Sequence, residues 1–454
     1  MATEEQALTF ETRDEFQRKG AAEKAINLLL SDVDVSPMVV DGKWGTGKTE
    51  FCRKLINLLL ETHPDVHCAY VDAFKADHAD SPLVTLIAAV ANLIDDQEER
   101  ANFIQKAVPA VRYGLKALGK AGVAWLLKQN ADDIADELEA TVKQVGEDSV
   151  NASIERLIKD HQHATENLDA LRDALIKVSE INPLIIFIDE LDRCRPDFAV
   201  SILEHIKHVF DVPNVQFVLV ANLDQLRSSI NHCYGLGVDA QRYLDKFLKF
   251  SFRLSSHHSH DQYNYSAVSE MHAENLIRNH ATLAGTALVN EGFLRLIRRL
   301  IVVNELSLRE VETFVRHIEI YNVLCDDKAF AENRNFGYGV LQIMGVFYFC
   351  FRPEICDELE HGVIDGPRMA EVLGISTYTR SSDRDGRDLI LAIATLIFLE
   401  STIPVEGLDL GDEEDIAAWN EEIHPLFQSA GFPPSRGERV SKITQPIRTL
   451  RLTR

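Results

Sequence analysis

The sequence predicts a three-layer α/β sandwich, a parallel sheet between helices, interrupted by a helical insertion and followed by a helical C-terminal domain. Three observations predict it. Gly42-Lys43-Trp44-Gly45-Thr46-Gly47-Lys48-Thr49 is a complete GxxxxGK[ST] loop set between an apolar triplet and a helical pattern. Leu184 to Ile188 is a continuous apolar run ending in the acids Asp189 and Glu190. Val215 to Ala221 is a second such run, ending at Asn222. Strands buried on both faces of a parallel sheet read in this way.

The elements follow in chain order. Residues 12 to 30 form an amphipathic pattern with Phe16, Ala25, Ile26 and Leu29 on one side. Met38-Val39-Val40 predicts the first strand, and Phe51, Leu55, Ile56 and Leu59 a helix directly after the loop. His67 to Asp72 predicts a second strand and Pro82 to Ile94 a helix. Residues 95 to 180 are helical in pattern and too long for a simple connection, so they read as an insertion. Beyond the acids come a helix, Pro196 to Phe210, and the run at Val215. From Tyr243 to Leu254 helical spacing gives way to alternation (Phe250, Phe252, Leu254), which predicts a helix leading into a last core strand. The remainder is helical apart from a loop near 328 to 335. These limits divide the chain into 1–94 and 181–255 for the two halves of the core, 95–180 for the insertion, and 256–454 for a helical lid and C-terminal domain.

Composition restricts what such a protein does. A formal charge of −24 argues against wholesale wrapping of nucleic acid. Seven cysteines without a CxxC pair fit reduced thiols in a cytoplasmic protein. The acidic start MATEEQALTFETRDEF lacks the apolar core of a signal peptide. The uncharged stretch from Asn335 to Phe351 is shorter than the roughly 20 apolar residues of a spanning helix, and reads as a buried one. Local exceptions remain. Arg112, Lys116, Lys120 and Lys128, with Trp125, form a basic stripe that reads as a solvated face, with peripheral membrane contact as the alternative. Arg436, Arg439, Lys442, Arg448, Arg451 and Arg454 form a basic tail, either a docking segment for nucleic acid or an acidic partner, or a strand-like tail packed on the body. His257, His258 and His260 lack metal-ligand spacing and read as a solvated loop.

The loop carries one chemistry. Glycines at Gly42, Gly45 and Gly47 let successive N–H groups turn inward, and the following helix presents its positive end, so the segment Gly42, Lys43, Trp44, Gly45, Thr46, Gly47, Lys48, Thr49 and Glu50 is the candidate nucleotide-binding set. Lys48 is placed to reach the β- and γ-phosphates, and Thr49 with Asp189 to ligate Mg²⁺. Glu190 is the candidate for polarising the attacking water, with a capping or surface acid as the alternative. Asn222, at the end of the neighbouring run, is either a sensor of the γ-phosphate or the start of a turn before Asp224.

These residues resemble the KAP family of P-loop NTPases. The resemblance rests on the loop with Trp44, on Asp72-Ala73-Phe74 followed by Ser81-Pro82-Leu83, and on Ile188 to Cys194 (IDELDRC). It extends through VPNVQFVLVANLDQL, Tyr243-Leu244-Asp245-Lys246-Phe247 and Ser307-Leu308-Arg309-Glu310, covering roughly residues 12 to 320. It implies a core of the ASCE type and a Mg²⁺-dependent ATPase; the absence of a guanine signature at Asn222-Leu223-Asp224-Gln225 agrees with ATP over GTP. It also implies that Arg193 and Arg309 stabilise transition-state charge, with Arg242 or Lys246 as cations offered by a neighbouring subunit. Two departures stand out: no transmembrane helix qualifies in the insertion, and Asn222 stands where the family commonly has aspartate. The resemblance suggests a switch of low basal turnover that controls self-association or a protein effector, in bacterial defence against phage. The rival reading is a nucleotide-gated scaffold with negligible turnover that recruits an effector, nucleic acid or membrane. A nucleic-acid motor, the third, is weakened by the acidity.

Overall fold

A computed structural model describes residues 8–79, 82–115, 169–180, 182–255, 257–261, 264–325, 329–332, 335–378, 388–408, 423, 426–427 and 437–452. The basic stripe beyond residue 115, Arg436, Arg454 and the side chains of Arg112 and the histidine cluster lie outside the described residues. The chain divides into two compact units, Met1–Leu254 and Ser255–Arg454.

The first unit begins with α1 (Lys19–Leu29), β1 (Met38–Asp41), α2 (Lys48–Thr62), β2 (His67–Asp72), α3 (Pro82–Ala91) and α4 (Gln97–Leu115). It continues with β3 (Leu184–Asp189), α5 (Pro196–His208), β4 (Val215–Ala221), α6 (Leu223–Tyr234), α7 (Ala240–Leu244) and β5 (Phe250–Arg253). All strand pairings are parallel and the order is β2-β3-β4-β1-β5. The loop strand β1 is thus separated from the acid strand β3 by β4, the arrangement that the ASCE expectation requires. Successive side chains point to opposite faces, so each apolar run serves two cores. Val39, Ile186, Ile188, Phe217 and Leu219 pack under α3, α4, α5 and α6. Met38, Val40, Ile185, Phe187, Val218 and Val220 pack under α1 and α2. Those two covered faces make the three layers. Each fully buried residue of β3 stabilises the fold by about 1.5–3 kcal/mol, which is why the run tolerates no polar residue before Asp189.

Register aligns the strand ends. Asp189 lies opposite Asp72 on one side and Val220 on the other, and Asp41 opposite Ala221 and Arg253. One edge of the sheet therefore gathers Asp72, Asp189, Asn222, Asp41 and Arg253.

The second unit opens with an antiparallel hairpin, β6 (His257–Asp261) and β7 (Asn264–Ala267). The histidine cluster lies on its first strand, so the expectation of a loop is corrected: the short polar stretch finds its partner, β7, within a few residues. Among the described residues eight α-helices follow: α8 (Val268–Asn279), α9 (Glu291–Val303), α10 (Leu308–Leu324), α11 (Phe336–Phe351), α12 (Pro353–Glu360), α13 (Gly366–Glu371), α14 (Leu389–Glu400) and α15 (Glu438–Leu450). The uncharged stretch is indeed a helix, α11, capped by Asn335 and buried along most of its length. Among the described residues no helix is long and apolar enough to cross a membrane.

The basic tail is neither free nor a strand. Arg439, Lys442 and Arg448 lie on α15, which places Ile443 and Ile447 in the core against α11. Arg439 pairs with the buried Glu400 at 3.2 Å, and Arg451 with Asp357 at 2.7 Å and Glu360 at 2.6 Å. Pro446 lies inside the helix, where it removes one backbone donor. Gly345 makes the close approach feasible, since a Cβ there would run into the Ile443 carbonyl oxygen and meet the Pro446 ring at 3.1 Å. Gly345→Ala is expected to destabilise the full chain by about 1–3 kcal/mol through overpacking, read as a lower urea midpoint. Gly20→Ala, where a Cβ meets nothing within 4 Å in α1, is the control expected to be neutral or stabilising.

Candidate phosphate site

The loop between β1 and α2 owes its shape to Gly45 and Gly47, whose φ values of 75° and 80° are costly for residues with a Cβ. Lys48 is the first residue of α2 and is largely buried. Its ammonium turns back on the loop and donates to the carbonyls of Gly42 at 2.7 Å and Lys43 at 3.2 Å. Burial pushes its pKa down, against the opposing fields of Asp192, Asp189 and Asp41. A phosphate oxygen is a stronger acceptor for this ammonium than either carbonyl. Thr46 donates its hydroxyl to the Lys43 carbonyl at 2.9 Å, and Glu50 pairs with Lys54 at 2.7 Å, one helical turn on.

Asp189 ends β3 at 1 % exposure. Its carboxylate accepts from the Tyr70 hydroxyl at 2.9 Å, from the Glu190 N–H at 2.8 Å and from the Thr49 side chain. Burial still pushes its pKa up. Thr49 and Asp189 are thus in contact, a hydroxyl beside a carboxylate. Such hard oxygen donors suit Mg²⁺, which keeps several waters and takes its other ligands from phosphate. No group of three or more His, Cys, Asp or Glu able to hold a metal occurs among the described residues.

Glu190 follows in the left-handed region at φ 59° and opens a single 3-10 turn, Leu191–Arg193. Its carboxylate pairs with Arg193 at 2.9 Å. Burial raises its pKa, and Arg193 is the largest opposing influence. Asn222, at the end of β4, is buried and accepts from the Asp224 N–H at 3.1 Å, capping α6. The capping role and the position beside the loop strand are therefore both present. Arg309 is an exposed residue in the first turn of α10, within the second unit, behind the Ser307–Glu310 capping box. Arg242 is exposed and pairs with Asp239 at 3.3 Å. The Lys246 ammonium lies 5.8 Å from the Tyr243 ring centroid.

Several residues of the site escaped the reading of the sequence. Asp192 accepts from the Trp44 indole N–H at 2.6 Å, joining loop and acid turn. Asp41 accepts from the Leu223 N–H at 3.1 Å and pairs with Arg253 at 2.7 Å, tying three strand ends together. Arg18, before α1, donates to the Thr46 carbonyl at 3.0 Å. Of these, only Asp192 carried a local signal, its place inside IDELDRC.

Comparison with known proteins agrees with this geometry. A model of the KAP family P-loop domain matches residues 18–323. The phage T7 exclusion protein of Escherichia coli (strain K12) is 23% identical over 247 residues, which are 50% of this chain and 31% of that protein. The chain thus matches about a third of that relative's length. Among solved structures, the Aeropyrum pernix ORC2 protein in its ADPNP–ADP complexes aligns over 96% of this chain and 95% of its own, at 14% identity. Its TM-score of 0.36 is too low to bear on fold or function. With the family model running across the loop, the acid turn and all five parallel strands, over about two-thirds of its length, the chain belongs to the KAP family of P-loop NTPases.

Proposed function

We propose that this protein is a Mg²⁺-dependent ATPase whose nucleotide state controls self-association or a protein effector, in defence against phage. One observation carries the reading: Lys48, Thr49, Asp189 and Glu190 converge at the carboxyl edge of one parallel sheet. The exclusion protein that matches half of the chain supports the link to phage. ATP is preferred over GTP because Asn222-Leu223-Asp224-Gln225 is not a guanine-binding signature.

In this mechanism the loop amides and the start of α2 hold the phosphates, while Lys48 exchanges its carbonyl partners for phosphate oxygens. Thr49 and Asp189 would hold Mg²⁺, which when bound would supply neutralisation of the charge developing on the phosphates. Glu190 accepts the proton of the attacking water, and for that its carboxylate must leave Arg193. Arg193 then faces the site without a partner acid and is available to the γ-phosphate. Arg309, or Arg242 or Lys246 from a neighbouring copy, are further cations for that role. The Glu190–Arg193 pair favours low basal turnover, and it is the specific support for the second reading, a nucleotide-gated scaffold.

Turnover measured across protein concentration tests the proposal. It is expected to rise with concentration, to fall by about 10²–10⁴-fold in Glu190→Gln with ATP still bound, and to vanish in Lys48→Ala with weakened binding. ATP binding without turnover at any concentration, with or without an effector, sinks the hydrolytic reading and leaves the scaffold. A pH profile gives a second test. The base acts when ionised, so turnover falls as pH drops through its pKa. In the free enzyme Arg193 opposes the rise of that pKa, so Arg193→Ala moves the acid limb of kcat/KM to higher pH. An unmoved limb contradicts Glu190 as the base.

A further inference from the structure

The hydrogen bond between Trp44 and Asp192 joins residues 148 positions apart at the centre of the site. Trp44 is 48% exposed, so packing alone does not fix its ring. Asp192, by contrast, is largely buried, in a turn that its neighbours hold firmly. Leu191 is fully buried beneath it, the Arg193 N–H donates to the Glu190 carbonyl at 3.0 Å, and Arg195 is held by Asp77 through its N–H at 2.9 Å and Nε at 3.0 Å. A short, charge-assisted bond from such a turn is strong enough to order a glycine-rich loop. The same turn carries Glu190 two residues before Asp192 and Arg193 directly after it.

We propose that Asp192 is a positioning residue: through the Trp44 indole it sets the phosphate loop against the turn carrying Glu190 and Arg193, so that grip on the phosphates and aim of the base are fixed together. The inference deepens the ATPase reading and rests on it for its catalytic part. Without the bond, the loop must be ordered by ATP itself, which weakens binding, and the γ-phosphate loses its register with Glu190, which slows hydrolysis.

The full chain is tested as Trp44→Phe, which keeps a ring and loses the donor, Asp192→Ala, and the double variant, with ATP affinity and kcat/KM both measured. Each single variant is expected to lower kcat/KM by about ten- to a hundredfold and to weaken ATP binding, and the double variant to be no worse than the worse single. Asp192→Asn keeps an acceptor for the indole but discards the charge that strengthens the bond, so it is expected to fall between wild type and Asp192→Ala. Losses that multiply in the double variant overturn the proposal, as does an Asp192→Asn chain as impaired as Asp192→Ala. If wild type binds ATP without hydrolysing it, the ATPase reading fails by itself. The affinity cycle then decides: non-additivity supports the pair, and additivity removes it.

Discussion

A single buried carboxylate, that of Asp189, sets the terms for the rest of the phosphate site. Removing an ionised carboxylate from water costs several kcal/mol unless donors and charge compensate. Here the donors come from three separate elements: the Thr49 side chain on α2, the Tyr70 hydroxyl on β2 and the Glu190 N–H on the turn. Satisfying one acid therefore locks the loop helix, a neighbouring strand and the acid turn to a common point. The Arg53 guanidinium, 3.4 Å from the centre of the Tyr70 ring, adds positive charge behind that hydroxyl. Compensation is incomplete, since burial still pushes the Asp189 pKa up.

The turn after Asp189 pays for this geometry with a strained residue. A non-glycine φ near +60° costs on the order of 1–3 kcal/mol and persists only where the surroundings dictate it. They do so here through Leu191 below, Trp44 on the loop side, and the Arg195–Asp77 contacts beyond. From this turn the Glu190 carboxylate pairs with Arg193, the cation that family resemblance suggests for transition-state charge. Breaking that one ion pair releases both side chains.

What the sequence disclosed and what it withheld follow from the range of the interactions. Apolar runs, the glycine-rich loop and the switch to alternation before Phe250 are local patterns, and they located β1 to β5 and the residues at their ends. Strand order is not local, and the expectation for it came from the family resemblance rather than from the pattern of the chain. The contacts that escaped notice are long-range pairs between residues ordinary by themselves. Asp41 and Arg253 are 212 positions apart, and Arg18 and Thr46 are 28. Nothing in the composition around either marks its partner. The hairpin at His257 was missed for a different reason: polar histidines masked a strand too short to show a convincing period.

The basic tail shows why composition alone leaves two readings open in an acidic protein. Six cations near the end of the chain read either as a docking segment or as a strand-like tail packed on the body. With 71 acids against 47 lysines and arginines, however, a cationic segment finds carboxylates close at hand within its own fold. Arg439 meets Glu400, which is only 3% exposed, and loss of one partner in such a buried pair costs about 3–5 kcal/mol. Arg451 bridges two acids of α12, and Lys442 lies 4.7 Å from the Tyr338 ring centroid. Those ion pairs orient a helix whose Ile443 and Ile447 complete the core, and Gly345 grants the proximity that Pro446 demands. The charge of the tail is therefore complementary to its own unit, and the apolar stripe at positions 443 and 447 is what packs this helix on the core.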